Sequence, residues 1–141
     1  MKVKAIFLGI HRTLCNHQGV VPHSAIQACE KARQNGHRIF LSKGCSKAEI
    51  QENALSVGLD GVIGEAGDYL EVADAIQEFG INIEDTIAIG DSVYDLEMLE
   101  TAQLGVAMGN ASETVKAYAD DITHAVDEDG LYKAFKKYGL I

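Results

Sequence analysis

The sequence of 141 residues predicts an open, doubly wound α/β domain. Three observations carry this. Short apolar runs alternate with amphipathic stretches along the chain. The runs are apolar throughout rather than every second residue, the pattern of strands buried on both faces of a parallel sheet. Glycines 36, 58 and 80 directly follow the helical stretches, where a chain can leave a helix through a left-handed residue.

The elements follow in order. Residues 4–8 read as the first strand. Residues 24–35 read as a helix, with Ile26, Cys29 and Ala32 on one face and Gly36 as its stop. Residues 38–41 form the second strand. Ser46-Lys47-Ala48-Glu49 has the form of a capping box and opens a helix that ends before Gly58. Residues 61–63 are the third strand, and 69–79 a helix stopped by Gly80. Residues 86–89 and 105–107 are the fourth and fifth strands, separated by a short helix over 95–102. Helices over 112–118 and 131–138 close the chain. No repeat or linker divides it, so residues 1–141 read as one domain. In this architecture the ligand site lies at the carboxyl ends of the strands, here residues 9–12, 42–45, 64–67, 90–95 and 108–111.

Hydrophobic residues at 47% and charged residues at 23% are ordinary for a soluble globular protein. A net charge of −9 argues against nucleic acid or an anionic membrane as partner. No apolar run approaches the ~20 residues that span a bilayer, and the stretch after Met1-Lys2-Val3-Lys4 is too short for a secretory signal. The odd set Cys15, Cys29 and Cys45 reads as reduced thiols in a cytoplasmic protein, Cys29 as core packing. His17, His23, His37 and His124 read as surface or loop residues. Asp127-Glu128-Asp129-Gly130 lacks the spacing of a calcium-binding EF-hand and reads as a helix start.

The segments Gly90-Asp91-Ser92-Val93-Tyr94-Asp95 and Gly105-Val106-Ala107-Met108-Gly109-Asn110-Ala111 resemble the haloacid dehalogenase-like (HAD) hydrolases, and most of all the Cof-type sugar-phosphate phosphatases. The first half fits through its opening apolar run and through residues 35–41 leading to a turn at Gly44. The resemblance implies a three-layer, Rossmann-like core with a mostly parallel sheet. It also implies an α/β cap domain, yet Gly67-Asp68-Tyr69-Leu70-Glu71 runs straight into the next helix, so the cap is expected to be missing.

A second departure is chemical. The family's first motif, DxDGT, puts its nucleophilic aspartate at Gly9, its acid/base aspartate at His11 and its glycine at Arg12. The second motif, TGR, falls on Lys43-Gly44-Cys45. The family lysine falls on Val72 and an asparagine on Tyr94, while Asp91, Asp95 and Asn110 keep family form. Gly9 cannot form an aspartyl-phosphate, and Asp91 and Asp95 alone read as a weak remnant of a metal site.

These replacements read as a repurposed pocket, natural or engineered, without phosphatase activity. Cys45 follows the second strand and His11 the first, neighbours ~4.8 Å apart in this fold. Asp91 follows the fourth, on the other flank. The expected chemistry is hydrolysis of activated carboxylic esters, with Cys45 attacking, His11 as base and then acid, and Asp91 orienting His11. Gly9 would leave room for the acyl group. Arg12, Ser42, Lys43, Gly44, Val72, Tyr94 and Asn110 would line the pocket. Two alternatives stay open: a catalytically inactive HAD-like domain or binding scaffold, and Schiff-base chemistry at Lys43. Cys15 ranks below Cys45 as the thiol. His11, Cys45, Asp91 and Asp95 have zinc-ligand chemistry but no zinc-motif spacing. No cofactor is expected. The expected partner is a small-molecule substrate, with a homodimer as one means of covering the open pocket.

Overall fold

The apolar runs pair into a six-stranded sheet: β1 (Ala5–Gly9), β2 (Arg38–Ser42), β3 (Gly61–Ile63), β4 (Thr86–Gly90), β5 (Leu104–Ala107) and β6 (Asp121–Ile122), in the order β3-β2-β1-β4-β5-β6. Each of the five pairings is parallel. The structure, a computed structural model, describes residues 3–10, 12–16, 18–42, 61–63, 77–78 and 80–141.

Among the described residues, helices α1 (His23–Gln34), α2 (Leu96–Thr101), α3 (Glu113–Tyr118) and α4 (Gly130–Lys137) cover the two faces. Strand geometry sends successive side chains to opposite faces. Ile6 and Leu8 of β1 therefore join Ile39, Ile89 and Val106 under α1 and α4, where Ala28, Cys29 and Phe135 meet them. Ala5 and Phe7 face the other way, with Phe40 and Ala88, under Met98 and Leu99 of α2 and Val115 of α3. The rings of Phe7 and Phe40 stack with centroids 5.1 Å apart. The result is the three-layer α/β core that the sequence predicts.

Differences from the predicted elements have local causes. β6 is not among the predicted strands, because Asp121-Ile122 is too short and too polar to read as one. It is held by neighbours: Asp120 Oδ2 accepts from Gly105 N–H at 2.8 Å, and Asp121 Oδ2 accepts from Lys137 Nζ at 2.6 Å and from the Tyr138 hydroxyl. α1 begins one residue early, at His23, behind Pro22, a residue tolerated there because it needs no N–H partner. Gly36 takes φ 93° and ends α1 as expected. Of the helix predicted over 69–79 only Gln77 and Glu78 are described as helical, and the helix predicted after Ser46 lies outside the described residues. His37, expected at the surface, is buried. Its Nδ1 accepts from Lys4 N–H at 3.0 Å, and burial, then the charge of Lys4, pulls its pKa down, so the ring is neutral.

β5 passes so close beneath α2 that a Cβ at position 105 would lie 2.3 Å from the Leu99 carbonyl oxygen. Gly105→Ala should therefore lower stability by about 1–3 kcal/mol, read as a lower urea midpoint at unchanged m-value. An unchanged midpoint would contradict this packing.

Candidate functional site

The strand order reverses between β1 and β4: the chain leaves β3 at one edge and re-enters beside β1. Such a switch point opens a crevice at the carboxyl ends of the two strands. The segments leaving β1, β4 and β5 fill it.

After β4 the chain passes through a 3₁₀ turn, Val93–Asp95, into α2. This turn folds Asp95 back over the strand ends, where it is only 6% exposed. Its Oδ2 accepts from the backbone N–H groups of Asp91 and Ser92, both at 3.2 Å, and from the Ser92 hydroxyl at 3.4 Å. The carboxylate occupies space that side chains on the two strands would otherwise claim. A Cβ at position 9 would lie 2.9 Å from Asp95 Oδ2, and one at position 90 would lie 2.6 Å from it. Burial raises the Asp95 pKa, against the hydrogen bonds from Ser92 and Asp91.

Asp91 stands beside it, half-buried. Burial and then the charge of Asp95 push its pKa up to about 6, opposed by Arg12 and by a backbone hydrogen bond. The Thr13 hydroxyl, in the loop after β1, is buried and has no partner at hydrogen-bond distance among the described residues. Asn110, in the turn after β5, joins the segments. Its Nδ2 donates to the Arg12 carbonyl at 3.0 Å and to Asp91 Oδ2 at 3.4 Å, and its Oδ1 accepts from Val126 N–H at 2.8 Å. Arg12 is exposed and takes φ 60°. Beyond it the β1 loop is tied down by Leu14 N–H to the Gly9 carbonyl at 3.3 Å and Cys15 N–H to the Ile10 carbonyl at 2.9 Å.

The residues singled out from sequence thus divide. Asp91, Asp95, Asn110, Gly9 and Arg12 come together. Ser42 ends β2 opposite Gly9, and Tyr94 lies in the 3₁₀ turn, with neither side chain described. His11, Lys43, Gly44, Cys45, Val72 and the chain around Gly67 lie outside the described residues, as does His17. Two expectations are corrected here. Gly9 is not room for an acyl group, because the Asp95 carboxylate fills that volume. Cys15 is not a reactive thiol: it is fully buried, and burial pushes its pKa up to about 11. Ser92 and Thr13 join the site without having been singled out by sequence. For Ser92 the signal is its place three residues before Asp95, a spacing at which an amide can meet a carboxylate across one turn. Among the described residues, no three or more His, Cys, Asp or Glu converge as a metal cluster, and no helix is long and apolar enough to cross a membrane.

A family profile described as haloacid dehalogenase-like hydrolase matches residues 69–135. The chain is 37% identical to the Bacillus subtilis 5-amino-6-(5-phospho-D-ribitylamino)uracil phosphatase YcsE over 67% of this chain and 34% of that protein. It is 47% identical to the Bacillus subtilis phosphatase YwpJ over 43% of this chain and 21% of that protein. The chain therefore spans about a third or less of the length of these curated relatives. A solved structure of a HAD subclass IIB sugar phosphatase superposes with TM-score 0.88 at 23% identity, over 99% of this chain and 100% of that one. These similarities overturn the functional expectation. The two curated relatives are named as phosphatases, and neither is named as a cysteine–histidine esterase, a Schiff-base enzyme, an engineered protein or an inactive form.

The carboxylate pair carries a pH signature. Asp91 titrates near 3.8 in the unfolded chain and near 6 in the folded one, so the folded state holds the extra proton between those values. In metal-free buffer, stability should fall as pH rises from about 4 to about 6 and level off above. Asp91→Asn should make that slope shallower and raise stability at pH 7.5 by on the order of 1 kcal/mol, the half-exposed position and solvent screening having been allowed for. Urea melts at pH 4.5 and 7.5 check this. Parallel curves for wild type and variant would contradict it.

Proposed function

The chain belongs to the haloacid dehalogenase-like hydrolases, in the Cof-type branch, and on that premise we propose that it hydrolyses phosphate monoesters of small molecules at the carboxyl ends of β1, β4 and β5. The observation that carries the reading is the Asp91–Asp95 pair, two adjacent carboxylates at the switch point of a parallel sheet, both destabilised as anions by burial.

Such a pair fits a divalent cation. Mg²⁺ keeps several waters and is commonly held through one or two carboxylates together with the phosphate of its substrate. Asp91 and Asp95 would hold it here. The ion, when bound, neutralises charge on the transferring phosphoryl group. The chain's own residues do the rest. The amides of Asp91 and Ser92 fix Asp95. Asn110 bonds both Asp91 and the Arg12 carbonyl, which ties the loop after β1 to the acidic pair.

Gly9 offers no carboxylate, so in this reading the phosphoryl group passes to water. The water oxygen bonds to phosphorus, the ester oxygen leaves and takes up a proton, and the products are an alcohol and inorganic phosphate. Phosphoryl transfer tolerates this route because its transition state is loose, and catalysis rests on positioning and charge stabilisation. We further read residues 1–141 as the core without its cap, with the pocket open to the ester's alcohol portion.

Turnover of an aryl phosphate in Mg²⁺ tests the reading. Asp95→Asn should cost about 10²-fold or more in rate. Mg²⁺ should raise the melting midpoint of wild type more than that of Asp91→Asn or Asp95→Asn. The proposal fails if no member of a panel of sugar, nucleotide and aryl phosphates turns over with Mg²⁺, or if Asp95→Asn leaves the rate unchanged.

A further inference from the structure

We propose that Arg12 is the residue that binds the substrate's phosphate oxygens in this site, with its backbone tied to the acidic pair through Asn110. The inference deepens the phosphomonoester reading above and rests on it.

Three observations converge on Arg12. The first is conformation. Arg12 sits at φ 60°, a left-handed backbone that costs a side-chain-bearing residue energy and that glycine adopts freely. The sequence resemblance places a glycine at this position. The chain therefore keeps the glycine-type backbone while carrying the longest cationic side chain, and strained residues of this kind persist where function uses them.

The second is support. The Arg12 carbonyl accepts from Asn110 Nδ2 at 3.0 Å, and the same Nδ2 reaches Asp91 Oδ2 at 3.4 Å. One amide thus fixes the distance between the backbone of Arg12 and the acidic pair. The following residues, Thr13, Leu14 and Cys15, are buried, while Arg12 itself is exposed.

The third is charge. A protein of net charge −9 repels a phosphate dianion, and two carboxylates at the site add to the repulsion. Among the described residues Arg12 is the cation that acts on Asp91, and none of their carboxylates stands within ion-pair distance of its guanidinium. A planar fork of N–H donors with no carboxylate partner among those residues, next to a phosphate site, suits bidentate contact with phosphoryl oxygens.

The test compares wild type, Arg12→Gly and Arg12→Lys in Mg²⁺ buffer by titration with inorganic phosphate, by KM for an aryl phosphate and by melting midpoint. Arg12→Gly should bind phosphate about tenfold weaker or worse, since a hydrogen bond to a charged group is worth that much, and KM should rise in parallel. Its melting midpoint should stay the same or rise, because glycine relieves the left-handed strain. Arg12→Lys should fall between, keeping the charge and losing the fork. Unchanged phosphate affinity and KM in Arg12→Gly would overturn the role of Arg12 while leaving the phosphatase reading intact. A lower midpoint in both variants at unchanged phosphate affinity would mark a structural guanidinium and overturn that role equally. A wild type that neither binds phosphate nor hydrolyses the ester would overturn both.

Discussion

The seat of the Asp95 carboxylate is the constraint around which the carboxyl end of the sheet is built. Removing a carboxylate from water costs several kcal/mol unless donors replace the lost hydration. Here the donors are the amides of Asp91 and Ser92 and the Ser92 hydroxyl, all converging on one oxygen. They can do so only if the chain turns sharply after β4. The turn, in turn, delivers the side chain onto the ends of two adjacent strands. The parallel register that pairs Leu8 with Ile89 sets positions 9 and 90 side by side, and with Asp95 in this seat a Cβ at either position would crowd the same carboxylate. Thus the seat of one side chain limits the space at two positions that are distant in sequence from each other.

The layered fold is legible in the sequence because its causes are local and periodic. Continuous apolar runs mark the central strands, and the one helix with an expected apolar face, α1, buries Cys29 and Ala32. The edge strand β6 is not legible. Its place rests on Gly105 N–H donating to Asp120 and on Lys137 and Tyr138 donating to Asp121, contacts that no window of sequence contains. The burial of His37 is hidden for the same reason: it depends on β1 arriving alongside β2, so that Lys4 N–H meets its ring.

At the site, residue identities are visible in the sequence but their mutual arrangement is not. Asp91, Asp95 and Asn110 stand out by resemblance, and they do lie together. Gly9 is the instructive case. In the sequence its absent side chain suggests lost chemistry and vacant space. In the folded chain the volume is already taken by Asp95, whose position depends on a turn eighty-odd residues further on. A missing group in one motif is therefore no measure of a site until the other strand ends are in place. Asn110 makes the same point, because its three partners come from loops that only the sheet order brings within reach.

The central position of β1 also governs how the protein can be made. Ala5 pairs with Arg38 on one side and with Thr86 on the other. At a synthesis rate of ~5–20 residues per second, roughly 2–10 s separate the appearance of those two partners. Throughout that interval one edge of the most apolar strand is complete and the other is open. The nascent chain is thus a half-sheet with exposed backbone donors and acceptors, the form of intermediate that invites association with another strand. Closure waits for β4, whose arrival also brings Gly90 and Asp95. In this chain the event that seals the vulnerable edge is the same event that assembles the acidic pair, so a molecule cannot hold its site together while its folding remains unfinished.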